Sequence, residues 1–265
     1  MLFVIDVGNS HTVTGLYDNG KLIGHYRLKT DKNYTADELA IRYHGLFRME
    51  GIDTADIKNI VLASVVPTLE SAWVRCVERH FNLDEPIINL NTQILSPLVK
   101  VATDNPNEVG IDRLVNAFAA WKDRKKDLIV IDFGTAITFA CVTADCTYLG
   151  GVILPGIAIS LEALAGKTAK LPMVDVRDVP ETLIGKNTID AMKSGILYGY
   201  GSMVDGIVSG IKEEMLNGRN QDVDVIATGG MARLIAPFTK SIEDIDSLLT
   251  LNGMKTIFHS LKETA

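Results

Sequence analysis

Residues 2–14 read "LFVIDVGNSHTVT" and residues 127–139 read "DLIVIDFGTAITF". At a shift of 126 positions, Leu2, Val4, Ile5, Asp6, Gly8 and Thr12 meet Leu128, Val130, Ile131, Asp132, Gly134 and Thr138. Each stretch is a β-branched apolar run that ends in Asp-x-Gly and resumes as a second run, the pattern of two strands joined at an acidic glycine turn. The frame holds without a gap to Gly24 and Gly150, seven identities in 23 positions, where ordinary residue frequencies supply about one or two. The chain therefore reads as one unit written twice.

Working outward, "DNG" at 18–20 marks a hairpin before "KLIGHYRLKT", which makes three consecutive strands. "TADELAIRYHGLFRMEG" follows as a helix: Thr35 caps it, Glu38 stands three residues on, Leu39, Tyr43, Leu46 and Phe47 keep helical spacing, and Gly51 ends it. "NIVLASVVP", "LESAWVRCVERHF" and "EPIINL" then read as strand, helix and strand. The second copy restarts with "LIVIDFG", "AITFACVT", a turn at "ADC", "TYLGGVILPG" and the helix "AISLEALAG". A long helix with Ile189, Met192, Ile196, Tyr200, Met203 and Ile207 in rhythm carries glycines at 195, 199, 201, 206 and 210. Each glycine costs up to about 1 kcal/mol relative to Ala, and close backbone packing is the expected compensation. "VDVIATGG" is a strand entering a glycine turn, suited to a ligand lying against bare backbone. The expected fold class is α/β, with one domain at 1–121 and a second at 122–265.

Hydrophobic residues make up 47% of the 265 and charged residues 22%, the balance of a globular chain with room for two cores. A net charge of −7 argues against a surface built to neutralise phosphate backbones. The basic run "KDRKK" at 122–126 is broken by Asp123, followed by Asp127, and reads as a solvated turn. Cys76, Cys141 and Cys146 form no CxxC pair, so neither a zinc site nor a disulfide framework is expected. The first residues "MLFVIDVG" lack a basic n-region and no apolar run reaches about 18 residues, so a cytoplasmic protein without membrane or nucleic-acid partners is the expectation.

A strand ending in Asp-x-Gly and small or hydroxyl residues offers backbone N–H groups to an anion, and the carboxylate to an accompanying cation. Taken singly, each copy is an ordinary hairpin turn; two in one frame suggest paired phosphate turns. Neither "DVGNSH" nor "DFGTAI" supplies G-x-G-x-x-G, and G-x-x-x-x-G-K-[ST] is absent, so Rossmann and P-loop readings fall away.

The doubled turn, the hairpins and the late "TGG" resemble the acetate and sugar kinase, Hsp70 and actin superfamily. Within it, "DVGNSHTVTGLY", "NPNEVGIDRLVNA", "DFGTAITF" and "GGVILPG" together resemble the type III pantothenate kinase family. The resemblance implies two duplicated ribonuclease-H-like domains, each a three-stranded meander followed by αβαβ, facing an ATP cleft. It implies ATP-dependent phosphorylation of pantothenate, the first step of coenzyme A synthesis, with Mg²⁺ and a monovalent cation (K⁺ or NH₄⁺), in a homodimer. By the same resemblance Asp6, Val7, Gly8, Asn9, Ser10, His11, Thr12 and Val13 form the first nucleotide turn, and Thr135 of the second turn contacts the nucleotide. Asp132 is the implied ligand of the monovalent cation. Gly110, Ile111, Asp112 and Arg113 are the implied substrate element, with Asp112 as general base, and Thr188 the implied substrate contact reaching the neighbouring subunit's site.

Chemistry gives these roles independent footing. Phosphoryl transfer asks for positioning, charge neutralisation and a carboxylate to take the hydroxyl proton. Gly110 allows close approach, and Arg113 is placed to keep Asp112 ionised and to hold a substrate carboxylate. Plainer readings stand beside them: Asp112 and Arg113 as solvated residues of a helix first turn, Asp132 bonding its own turn, and Thr188 as an N-cap. Trp73 and Trp121 read as core or interface residues. Where the family usually has a Tyr seven residues before the "GIDR" glycine, this chain has Thr103. That departure keeps open a same-fold kinase of another small hydroxy acid, and the family's accessory factors for gene expression supply a non-catalytic alternative.

Overall fold

The computed structural model describes residues 1–218 and 222–264. In chain order the elements are β1 (Leu2–Val7), β2 (His11–Asp18), β3 (Lys21–Lys29), α1 (Ala36–Met49), β4 (Asn59–Ser64), α2 (Pro67–His80), β5 (Ile88–Asn89), α3 (Thr92–Leu95), β6 (Lys100–Val101) and α4 (Ile111–Arg124). The second run is β7 (Leu128–Phe133), β8 (Ala136–Val142), β9 (Thr147–Pro155), α5 (Ile157–Lys167), α6 (Thr188–Leu216), β10 (Asp224–Thr228), α7 (Ala232–Ile235), β11 (Asp244–Ile245) and α8 (Leu249–Thr264).

Local signals account for the boundaries. Asn19 (φ 47°) and Gly20 (φ 78°) both take the left-handed conformation, whose twist suits a two-residue hairpin. Helix α1 opens on a capping box: Thr35 Oγ1 accepts from the Glu38 N–H at 3.3 Å, and the Glu38 carboxylate accepts from the Thr35 N–H at 2.9 Å. It closes on Gly51 (φ 71°), with the Gly51 N–H donating to the Arg48 carbonyl at 3.2 Å and Ile52 to that of Phe47 at 2.9 Å. That pair of bonds is the Schellman pattern, which satisfies two carbonyls the helix would otherwise strand.

The sheets repeat one order. The first is β3-β2-β1-β4-β5, and the second, read from β9, is β9-β8-β7-β10-β11 with β6 added outside β9. In both, the first strand pairs antiparallel with the second and parallel with the fourth. Strands β1 and β7 even share a burial pattern, with Asp6 and Asp132 as the lone half-buried members. Such nearly continuous burial is expected of central strands covered on both faces.

The gapless frame of the sequence does not survive in three dimensions. Asp6 pairs with Val13, whereas Asp132 pairs with Thr138. The first turn is thus one residue longer, and Thr138 is the counterpart of Val13, not of Thr12. A longer loop between β8 and β9 restores the frame, so that Gly24 and Gly150 are equivalent, each at a bulge in the meander.

Two compact units result. The first comprises Met1–Lys100, Asp104–Ala119 and helix α8; the second comprises Val101–Thr103 and Ala120–Leu248. Helix α8 therefore does not belong with the second half, where a division at 121/122 places it. It docks by Asn252, whose Oδ1 accepts from Tyr17 OH at 3.1 Å, and by Thr250, whose hydroxyl donates to Asn116 Oδ1 at 2.7 Å. The first unit's core gathers Phe3, Ile5, Leu16, Tyr43, Phe47 and Trp73; ring centroids of Tyr43 and Trp73 lie 4.8 Å apart. The second gathers Ile129, Ile131, Phe133, Phe139, Leu197 and Val204.

Candidate active site

In the first unit, β1 and β2 are joined through Gly8, Asn9 and Ser10. The Gly8 N–H donates to the His11 carbonyl at 3.1 Å, the Thr30 N–H to the Ser10 carbonyl at 3.0 Å, and Thr30 Oγ1 to the Gly8 carbonyl at 2.8 Å. Thr12 and Thr30 hydroxyls lie 3.1 Å apart. The oxygens that would repel an anion are thus engaged by protein donors. Val7 and Thr12 are buried, so their part in the turn is main chain, while Asn9 and His11 are exposed. Arg27 Nη2 lies 3.0 Å from His11 Nδ1. Arginine can only donate, so Nδ1 accepts and the neutral ring carries its proton on Nε2. Burial, then the Arg27 charge, holds the His11 pKa below its ordinary value.

Gly110, Ile111, Asp112 and Arg113 form the start of α4. Asp112 Oδ1 accepts from the Arg113 N–H at 2.8 Å. Burial raises the Asp112 pKa by more than the Arg113 amide and charge lower it; desolvation, not Arg113, decides its proton affinity. A Cβ at Gly110 would stand 2.6 Å from Asp112 Oδ1, so any larger residue there would push that carboxylate from its place.

In the second unit, Asp132 and Thr135 flank a turn on which two other segments close. The Gly156 N–H donates to the Thr135 carbonyl at 3.1 Å. Gly229 (φ 90°), in the "TGG" turn, approaches so near that a Cβ there would lie 2.5 Å from Asp132 Oδ1. Among the described residues no group of three or more His, Cys, Asp or Glu is placed to hold a metal, so a cation at Asp132 would draw on at most one further such side chain, the remainder being neutral oxygens. Thr188 is the exposed first residue of α6 and not its cap: Asn187 Oδ1 accepts from the Asp190 N–H at 2.9 Å. Thr103 stands at a bend two residues past the edge strand β6; its Oγ1 is buried without a hydrogen-bond partner.

Trp73 is fully buried, and Trp121 Nε1 donates to the Ala144 carbonyl at 2.8 Å. Within the basic run, Arg124 pairs with Asp244 at 2.7 Å and with Asp224 at 3.4 Å, and Lys126 pairs with Asp224 at 3.3 Å. All three cysteines are buried thiols whose pKa burial pushes up to about 12. Thr30 and Arg27, which fasten the first turn, carry no motif that the sequence could flag. The closeness of "TGG" to Asp132 had a signal in its paired glycines.

The family model for type III pantothenate kinase matches residues 2–210. A type III pantothenate kinase of Desulfotalea psychrophila is 72% identical over 265 residues, 99% of each chain. One of Geotalea uraniireducens is 45% identical over 264 residues, 100% of each. Among solved structures, a Baf family transcriptional activator from Campylobacter jejuni superposes with TM-score 0.59 at 19% identity, covering 98% of this chain and 99% of that one. The inorganic polyphosphate/ATP-glucomannokinase of Arthrobacter sp. strain KM gives 0.51 at 14% identity, covering 100% and 99%. At those identities the structures speak for the fold alone.

Proposed function

The chain belongs to the type III pantothenate kinase family, and from that premise we propose how its residues divide the work of phosphorylating pantothenate with ATP, the first step of coenzyme A synthesis. Asp112 is the general base. The observation that carries this assignment is its burial-raised proton affinity beside a glycine whose missing side chain lets the carboxylate keep its place. A base with a pKa moved toward neutrality takes a hydroxyl proton better than an ordinary aspartate does. As Asp112 accepts that proton, the hydroxyl oxygen bonds to the γ-phosphorus and ADP leaves with the electron pair of the broken P–O bond.

Residues 6–13 hold ATP phosphates through main-chain amides, with Asn9, Ser10 and His11 as outward donors. Mg²⁺ held with the phosphates would neutralise their charge, and because it keeps waters and phosphate oxygens as ligands, one or two carboxylates would suffice for it. Arg113 holds the pantothenate carboxylate, with Gly110 and Ile111 shaping the approach. Asp132 takes K⁺ or NH₄⁺, and Thr135 contacts the nucleotide.

A homodimer is supported by α6, where Cβ atoms added at Gly195, Gly199, Gly206 and Gly210 would meet nothing within 4 Å. Exposed Ile184 (80%) and Ile189 (48%) flank its start. Thr188, free of the capping role, then serves the neighbouring subunit's site. Ion-paired Arg124 and Lys126 suit a cytoplasmic enzyme of small molecules with neither nucleic acid nor membrane as partner; among the described residues no helix is long and apolar enough to cross a membrane.

The test is ADP release coupled to a chromogenic reaction, with pantothenate as acceptor, with and without potassium. Pantothenate-dependent release that potassium stimulates and Asp112→Asn abolishes is expected. Release only with another hydroxy acid would overturn the substrate, and indifference to potassium the cation.

A further inference from the structure

A cavity of about 650 Å³ opens on the first unit between the segment after β3 and the flank of α2, a size in the range of small-ligand pockets. Its lining includes three cations, Lys32, Arg75 and Arg79, and one carboxylate, Asp37. That carboxylate is already engaged, 2.8 Å from His80 Nε2 and 4.0 Å from Arg79 Nη1. Lys32 and Arg75 have no ion-pair partner among the described residues. Thr68 and Ser71 add neutral donors, and a fourth cation, Arg42, stacks 4.3 Å from the ring centroid of the lining residue Tyr34.

On a chain of net charge −7, unpaired cations converging on one concavity repel each other unless an anion joins them. The α1 N-terminus is closed by its own capping box, so side chains define the site. A guanidinium fork offers two parallel donors and a lysine a mobile point charge, the combination that suits a phosphate group. Three cations in one pocket do not make the stripe that a nucleic-acid backbone requires.

Both walls of the cavity are tied to the first nucleotide turn. Two residues before Lys32, Thr30 bonds the Gly8 and Ser10 carbonyls. Immediately before α2, which carries Arg75 and Arg79, the Val65 N–H donates to the Val7 carbonyl at 3.0 Å. An anion bridging Lys32 and Arg75 would draw together two segments that grip the turn from either side.

We propose that this cavity is a second anion site, separate from the nucleotide turn, that takes the phosphate group of a small phosphate monoester and tightens the turn when filled. The coupling, though not the binding, rests on the reading of residues 6–13 as the nucleotide turn. Inorganic phosphate and the reaction's own product share the recognised chemistry and are the two probes.

Each is titrated calorimetrically into the full-length protein, alone and with a saturating non-hydrolysable ATP analogue, for wild type and for Lys32→Ala/Arg75→Ala. Wild type is expected to bind in the presence of the analogue, and the double variant at least about tenfold more weakly, with an unchanged melting temperature because neither residue makes a described ion pair. Tighter binding of the product than of inorganic phosphate identifies the monoester as the ligand; equal affinity identifies a bare-phosphate site and overturns the monoester. Undiminished binding by the double variant, or displacement of the probe by the analogue, overturns the site. Should the analogue itself give no heat, the nucleotide reading fails, while dependence on Lys32 and Arg75 still decides the cavity.

Discussion

At Asp112 two effects oppose each other: burial favours the neutral acid, and Arg113 favours the anion through its amide and its charge. Burial wins, so the pKa lies above the ordinary 3.8. The acid limb of log kcat/KM is therefore expected at a higher pH than an unperturbed aspartate would give, and Arg113→Ala should move it higher still, alongside a raised KM for pantothenate. A carboxyl whose folded pKa exceeds its unfolded one stabilises the fold below the unfolded pKa, and that contribution is lost as pH rises through the folded pKa. Above its folded pKa the ionised Asp112 is thus a burden on stability. Asp112→Asn is expected to lower kcat by roughly 10²-fold or more while leaving the melting temperature at pH 7 equal or higher; a marked fall in both would make Asp112 a structural residue. At the first turn, His11 offers a spectroscopic check. Nitrogen chemical shifts should place the neutral proton on Nε2, and Arg27→Ala should raise the His11 pKa, since the Arg27 charge is one of the two causes that lower it.

Among elements, α6 shows where sequence legibility ends. Its hydrophobic rhythm is plain, yet "GKNTID" holds two adjacent capping residues, and single-residue preference does not choose between them. The structure chooses Asn187, through bonds to both the amide and the carboxylate of Asp190. Asn187→Ala should cost about 1 kcal/mol of stability, read by urea denaturation, whereas Thr188→Ala should leave the denaturation midpoint in place and raise KM for pantothenate. Equal destabilisation by the two would return Thr188 to a capping role. The slipped turn has a similar origin. Identity at Thr12 and Thr138 suggested a continuous frame, but strand pairing depends on turn length, and the extra residue at Gly8–Ser10 is invisible until the ladder is closed. Helix α1, by contrast, was legible at both ends, because Thr35, Glu38 and Gly51 act on backbone groups within one turn of themselves.

For the whole molecule, duplication was readable because both copies keep the same buried strand and the same half-buried carboxylate. The placement of α8 was not, since nothing local in "LTLNGMKTIFHSLKET" says which core its apolar face will cover; contacts to Tyr17 and Asn116, far away in sequence, decide it. The same holds for assembly. If Thr188 completes the partner's site while Asp112 serves its own, each site of a homodimer draws on both subunits, and two damaged chains can make one sound site. Asp112→Asn and Thr188→Ala proteins, assayed at pantothenate well below the raised KM of the Thr188 variant so that each alone is nearly inactive, are mixed in equal amounts under conditions that allow subunits to exchange. Random pairing makes half the dimers mixed, and each mixed dimer has one intact site of two, so about a quarter of wild-type activity should return. If Thr188 instead served its own subunit's site, every site would keep one lesion and mixing would restore nothing. Activity that stays at the sum of the separate variants, with exchange verified by mass spectrometry, would place Thr188 outside the shared site.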